Sequence, residues 1–371
     1  MEKSRREFIK AGALGAAAAA TGLPAVSSAG EKQRKHKAHK PLNILILGGT
    51  GFIGPHMVRE ALRRGHSVTL FNRGRSNDAL FPDLETIKGD RDNGLDGLKG
   101  RRWDAVIDNS GYVPRHVQDS ARLLAPNVGH YLYISSVSVY ADFGIKNFED
   151  SPVATIADET VEEITGETYG ALKALCEKRA AAEFDADNFT VLRPTYICGP
   201  GDPSDRFSYW PIRTRKGGEM LWPGTPDDPV QIVDVRDLAY FTISCLDHSI
   251  NGTYNMVNPA GTYTIGNLLD DSQAVTATEV DAVWVDEDFL TANGLMGGRD
   301  LPVWHGAAED LGASAERALA AGFHHRPERE TARDLMTWWD TLPEERRAKP
   351  KTGPGAEKEA EVIAAWKARN T

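Results

Sequence analysis

Gly48-Gly49-Thr50-Gly51-Phe52-Ile53-Gly54 is the stretch that decides the fold. It follows Leu42-Asn43-Ile44-Leu45-Ile46-Leu47, an apolar run that reads as a buried parallel strand. It opens a helical pattern carried by Met57, Val58, Ala61 and Leu62. A strand, a glycine-rich turn and a helix in that order form the phosphate-cradling half of a dinucleotide fold. In that reading Gly48 allows the tight turn, Gly51 lets the backbone approach a pyrophosphate, and Gly54 lets helix and strand pack closely. The helix N-terminus then presents free N–H groups and the positive end of its dipole to the phosphates.

Working outward, strand and helix patterns alternate. Strands are expected over 67–71, 85–87, 103–108, 131–134 and 190–192, and helices over 114–124 and 169–184. The expected fold class is α/β: a Rossmann, doubly wound parallel sheet whose function sits at the carboxyl ends of the strands, with a smaller C-terminal α/β substrate lobe. The dinucleotide-binding domain is placed at 42–198 and the smaller lobe at 199–345. Ile232 to Ala239 reads as a strand running into a helix, with a return to the Rossmann sheet near 230–250. Residues 346–371 read as a charged tail.

The 371 residues carry a formal net charge of -10, unevenly spread. The first forty hold nine Lys/Arg against three Asp/Glu, which leaves the remainder at -16. So acidic a body is a poor polyanion binder, which argues against nucleic acid as a partner. Cys176, Cys198 and Cys245 show no metal-ligand spacing and read as buried free thiols; no metal is expected.

The N-terminus reads as an address. Ser4-Arg5-Arg6-Glu7-Phe8-Ile9-Lys10 resembles a twin-arginine export signal; an Ala-rich stretch over 11–20 and a Ser27-Ser28-Ala29 cleavage site follow. Residues 1–29 are assigned to this signal peptide and 30–41 to a basic linker. The expected location is extracytoplasmic, periplasmic or secreted, with the twin-arginine export machinery as a partner and no membrane attachment after processing.

Tyr169-Gly170-Ala171-Leu172-Lys173 places a phenol and an ammonium four residues apart on one helical face. A phenol is a poor base at neutral pH until a nearby cation favours tyrosinate. Ser136, at the end of the fifth strand, is placed to hydrogen-bond the same substrate oxygen.

Together these residues resemble the extended short-chain dehydrogenase/reductases, the NAD-dependent epimerase/dehydratase family that includes UDP-galactose 4-epimerase. The resemblance rests on Gly48, Gly51 and Gly54, Gly89-Asp90, Ser136 in Ser-x-x-Val-Tyr, Tyr169-x-x-x-Lys173 and Arg193-Pro194, and covers roughly 42–250. It implies that Tyr169 is the acid/base, Lys173 holds the nicotinamide ribose, Ser136 binds the reacting hydroxyl and Asp90 contacts the adenine. The implied cofactor contacts extend to Thr50, Phe52, Ile53, Asn72, Arg73, Arg91, Ser110, Gly111, Ser135 and Pro194. Leu70-Phe71-Asn72-Arg73-Gly74 and Gly89-Asp90-Arg91 also resemble the branch around the chloroplast stem-loop RNA-binding proteins, which often lacks the Tyr/Lys pair retained here. Asn72-Arg73 replaces the acidic residue expected to hold a ribose 2′-hydroxyl, and Arg73 and Arg75 could meet a 2′-phosphate. The expected cofactor is tightly bound NAD, with NADP as the alternative.

For substrate contacts, Arg206, Tyr209 and Trp210 after Gly199-Pro200-Gly201-Asp202, and Trp304-His305, are the candidates besides Ser136; a sugar-like small molecule is expected. Free nicotinamide nucleotide is scarce outside the cytoplasm. The favoured function is therefore a redox-neutral sugar or polyol epimerase that retains its cofactor. A dehydrogenase or reductase of a carbohydrate-like substrate is the alternative, and a non-catalytic binding protein the second. The family resemblance also implies a homodimer, or a multiple of it, paired through the helices over 114–124 and 169–184.

Overall fold

The computed structural model describes residues 40–77, 79–306 and 312–369. The first half runs β1 (Asn43–Leu47), α1 (Gly54–Arg63), β2 (Ser67–Asn72), β3 (Glu85–Lys88), β4 (Trp103–Asp108), α2 (Pro114–Leu124), β5 (Val128–Ile134), β6 (Lys146–Asn147), α3 (Tyr169–Ala181) and β7 (Phe189–Pro194). It continues through β8 (Tyr196–Cys198), α4 (Tyr209–Thr214), β9 (Glu219–Pro223), β10 (Ile232–Asp234), α5 (Val235–His248), β11 (Gly252–Met256) and α6 (Ile265–Thr276). Then come β12 (Asp281–Val285), α7 (Glu287–Ala292), β13 (Gly312–Ala313), α8 (Glu316–Ala320), α9 (Glu328–Asp340), α10 (Glu344–Arg347) and α11 (Ala356–Arg369). The export signal and the basic linker up to residue 39 lie outside the described residues.

The main sheet has the order β11-β7-β5-β4-β1-β2-β3, and all its pairs are parallel. The order reverses direction between β1 and β4, so a crevice opens at their carboxyl ends. Parallel strands buried on both faces need apolar residues on both faces. Ile44 and Ile46 pack on one side with Met57, Val58 and Ala61 of α1 and Phe241 and Ile243 of α5. Leu45 and Leu47 pack on the other with Val117 and Ala121 of α2 and Cys176 and Ala180 of α3. Each large side chain so buried contributes roughly 1.5–3 kcal/mol. The three cysteines are free and buried, as their separation in sequence predicts.

The return of the chain to the sheet, expected near 230–250, is made by α5 and then β11; β10 pairs with β8 instead. The smaller lobe holds the pairs β8–β10 and β9–β12 around a core of Phe207, Trp210, Trp222, Trp304, Leu335 and Trp339. The expected charged tail is a packed helix: Val362 and Ile363 of α11 join this core, and Glu359 takes the Nε of Arg213 at 2.7 Å.

Candidate functional site

The glycine turn is built as its residue types require. Gly48 and Gly49 have φ of +114° and +100°, a region that L side chains rarely adopt. A Cβ on Gly48 would lie 2.1 Å from Asn109 Oδ1, and one on Gly54 would lie 2.4 Å from the Gly49 Cα. A Cβ on Gly51 would meet nothing within 4 Å, which leaves open space over the turn. No side chain caps α1, and Pro55 occupies its first turn. Ser135 Oγ at the end of β5 and Asn72 Nδ2 at the end of β2 are buried without a hydrogen-bond partner. An uncapped helix start, an open glycine and two orphaned polar atoms along the carboxyl edge of the sheet fit a dinucleotide laid across the crevice.

The crevice is a cavity of about 950 Å3 that runs from the glycine turn past the Tyr/Lys pair to the smaller lobe. It brings together most of the expected residues: the turn glycines with Phe52 and Ile53, Ser110, Ser135, Ser136, Tyr169, Lys173 and Pro194, and Arg206 and His305. A 3-10 turn over Val137–Val139 follows β5, and Ser136 accepts the Ser138 N–H at 3.1 Å at its start. Gly170 lets α3 abut this turn: a Cβ there would lie 2.1 Å from the Ser138 carbonyl oxygen. That contact sets Tyr169 beside Ser136.

Lys173 is fully buried, and its Nζ donates to the carbonyls of Gly111 (2.8 Å) and Ile134 (2.7 Å). It also lies against the rings of Tyr133 (4.2 Å) and Tyr112 (5.1 Å). Burial pulls its pKa down to about 8. The expectation that this ammonium lowers the Tyr169 pKa needs correction. Burial raises the Tyr169 phenol, and the opposing influences are a hydrogen bond with Ser136 and the charge of Arg206. Lys173 is held to two carbonyls, so its role here is to fix the floor of the site.

Arg91, expected at the cofactor, is turned into the protein. It donates to both Asp108 oxygens (2.5 and 2.7 Å) and to Ser120, and Tyr131 adds its hydroxyl to Asp108. A buried guanidinium needs a partner, and Asp108 at the end of β4 supplies it. Asn72, Arg73 and Asp90 lie at the ends of β2 and β3, outside the cavity lining; Arg73 and Arg75 are exposed and make no ion pair among the described residues. Thr50 contributes its carbonyl, which accepts Asn77 Nδ2 at 2.9 Å, and Gly111 its carbonyl to Lys173.

Three substrate candidates are core residues instead. Trp210 stacks on Trp222 with ring centres 4.6 Å apart and donates to the Pro302 carbonyl. Trp304 donates its indole N–H to Asp228 at 2.7 Å, and Tyr209 packs edge-on against Trp210. Residues outside the sequence expectation take their place: Tyr112, Tyr140, Phe143, Tyr196 and Gln231 line the cavity. Tyr112 directly follows Asn109-Ser110-Gly111, and its ring lies 6.5 Å from that of Tyr169. Gln231 spans the cavity wall, accepting from Ala313 N–H and donating to the carbonyls of Ala313 and Asn258, each at 2.9 Å.

A family model described as the NAD dependent epimerase/dehydratase family matches residues 44–258, more than half of the chain. The chain belongs to the NAD dependent epimerase/dehydratase family. Relatives within reach of this epimerase/dehydratase sequence include a chloroplast stem-loop binding protein of Arabidopsis thaliana, 29% identical over 234 residues, 56% of this chain and 58% of that protein. A 2-alkyl-3-oxoalkanoate reductase of Stenotrophomonas maltophilia is 30% identical over 182 residues, 43% of this chain and 52% of that protein. The chain thus spans a little over half the length of these curated relatives. Among solved structures, the Bordetella bronchiseptica enzyme WbmH in complex with NAD+ superimposes with a TM-score of 0.60 at 16% identity, over 82% of this chain and 99% of that one. That likeness is one of fold.

Proposed function

We propose that this member of the family is an exported, redox-neutral epimerase of a sugar or polyol that retains a nicotinamide cofactor, NAD or NADP. The observation that carries the reading is the convergence of Ser136, Tyr169 and Lys173 on one cavity that begins at the glycine turn. When bound, the nicotinamide supplies the acceptor and donor of a hydride.

The chain's own residues bind, orient and move the proton. The glycine turn and the first turn of α1 would hold a pyrophosphate, and Ser135, whose buried hydroxyl has no hydrogen-bond partner, lines the same cavity. Lys173 fixes the floor through two carbonyls and has a third N–H that would hold the ribose, Ser136 accepts or donates at the substrate hydroxyl, and Tyr169 takes the hydroxyl proton and returns it. With a hydride acceptor and donor bound, return of the proton and hydride to the opposite face of a keto form would give the inverted alcohol with no net redox change. The twin-arginine pattern at Arg5-Arg6 supports export of a folded, loaded protein to a place where nicotinamide nucleotides are scarce.

The experiment is turnover without added nucleotide. Purified protein is incubated with a panel of sugars and polyols and the products are resolved by chromatography. Many turnovers per chain are expected; a strict need for stoichiometric external NAD or NADP overturns the reading. A reductase or dehydrogenase then takes its place, a reading favoured by the similarity to the oxoalkanoate reductase. We also propose a homodimer paired through α2 and α3; a monomer by light scattering at micromolar concentration contradicts it.

A further inference from the structure

The described lining of the cavity carries basic side chains and no carboxylate. The protein is acidic, yet among the described residues that line the cavity none is Asp or Glu, and Lys173, its pKa lowered to about 8 by burial, and Arg206 are the basic side chains there. The two differ in what they hold. Lys173 is committed to the carbonyls of Gly111 and Ile134. Arg206 uses its Nε on Ser204 Oγ (3.1 Å) and makes no ion pair among the described residues. Nearby Asp202 spends one carboxylate oxygen on the N–H and hydroxyl of Ser204, at 2.8 and 2.7 Å.

Arg206 is also held in place. Its guanidinium lies 4.7 Å over the ring of Tyr196, and the Tyr196 hydroxyl is 2.8 Å from His305 Nε2. His305 packs against Gly298, where a Cβ would lie 2.5 Å from its ring. Burial lowers the His305 pKa, which disfavours the charged imidazolium. Asp205, at φ +61°, fixes the loop before Arg206 by accepting from Arg346 and from the Lys351 N–H. Val137, Pro194, Ile197, Pro229 and Val303 add apolar wall to the cavity, alongside the polar Thr195 and Gln231. A guanidinium fork stacked on an aromatic ring at the wall of a cavity suits a planar, singly charged partner that takes two parallel hydrogen bonds.

We infer that the substrate is a secondary alcohol carrying one carboxylate, seated on Arg206 against the Tyr196–His305 wall while its carbinol faces Tyr169. The inference rests on the reading of Tyr169 as the proton-handling group and adds the class of substrate. A nucleotide diphosphate fits less well, because its second charge would find no further free cation among the described lining residues.

The test is equilibrium binding by titration calorimetry on the purified protein, and needs no turnover. The probes are two matched pairs, D-glucuronate with D-glucose and 3-hydroxyoctanoate with 2-octanol, together with UDP. In at least one pair the acid is expected to bind tenfold or more tighter than its neutral partner, the scale of one charge-assisted hydrogen bond. Arg206→Gln should abolish that preference, Arg206→Lys should keep part of it, and nucleotide content should stay at the wild-type level in both. Arg206→Met, which keeps the stem on the Tyr196 ring, replaces Arg206→Gln should the latter fail to fold. No preference for either acid in the wild type, or a preference that survives loss of the guanidinium, overturns the inference. UDP binding tighter than both acids and dependent on Arg206 also overturns it, in favour of a diphosphate. Failure of turnover without added nucleotide would remove the redox-neutral reading and leave this binding result standing.

Discussion

Two single methyl groups, one at Gly51 and one at Gly54, should separate the cofactor cradle from the fold that carries it. A Cβ on Gly54 would lie 2.4, 2.6 and 2.8 Å from the Cα, C and N of Gly49. These are backbone atoms, which cannot swing aside as a side-chain tip does. Ordinary contact begins near 3.4 Å, so Gly54→Ala must drive α1 and the turn apart by about 1 Å. Overpacking of that kind costs roughly 1–3 kcal/mol, and here it also opens the pyrophosphate seat. Gly51 is the contrast. Its φ is not left-handed and nothing lies within 4 Å of the added methyl. Gly51→Ala should leave the folded protein unharmed and, through the unfolded chain, gain roughly 0.4–1 kcal/mol at most. The methyl then stands where the pyrophosphate must approach, and we expect cofactor affinity to fall by roughly 10–100-fold, the equivalent of the same overpacking energy. The assay is denaturant unfolding of cofactor-stripped protein, paired with titration of NAD and NADP. Gly54→Ala should lose stability and binding; Gly51→Ala should lose binding alone. Wild-type affinity in Gly51→Ala, or unchanged stability in Gly54→Ala, refutes the assignment of this turn.

Tyr169→Phe should lower kcat by roughly 10²–10⁴-fold with bound nucleotide retained, because the phenol moves a proton and its ring still packs beside Tyr112; near-normal turnover removes Tyr169 as the base. Lys173→Ala should weaken cofactor retention, measured as nucleotide content, since two buried carbonyls lose their donor. His130, buried with Nε2 2.8 Å from Thr190 Oγ1, has its pKa lowered to about 4 by burial. The unfolded chain therefore takes up a proton below about pH 6.5 that the folded chain refuses until about pH 4, and stability should fall across that window by roughly 3 kcal/mol. Denaturant titrations of wild type and His130→Gln should show that slope reduced in the variant. Export is tested by Arg5→Lys with Arg6→Lys: the double variant should stay in the cytoplasm, and a processed N-terminus outside it would contradict the address.

The parts legible in the sequence are those where local pattern and tertiary burial agree. β1 and β4 are buried on both faces and read as near-continuous apolar runs, and α2 begins at a proline and keeps one apolar face toward the sheet. β11 was not read as a strand, because Gly252-Thr253-Tyr254-Asn255-Met256 is half polar; Asn255 is there to take the Tyr140 hydroxyl at 2.6 Å. The three-residue strand β8 is too short to show a period, and β10 is legible only as the start of the run from Ile232 into a helix. In the site, the Tyr/Lys pair and the glycine turn were legible because their chemistry depends on spacing. Arg91 was not, because its partner Asp108 is brought to it by the adjacency of separate strands. Trp210 and Trp304 could not be told from substrate-stacking aromatics, since a lobe core and a binding face ask for the same residue type. Arg206 is legible as a residue, and only the structure shows that it lines the cavity and makes no ion pair among the described residues.

The most direct test of the account is the nucleotide released when the purified wild-type protein is denatured and its supernatant resolved by chromatography. A cofactor cradled by Gly51 and the first turn of α1 and retained over Tyr169 and Lys173 predicts close to one equivalent of NAD(H) or NADP(H) per chain. Protein that is isolated empty, and that takes up neither nucleotide when it is offered, contradicts the account.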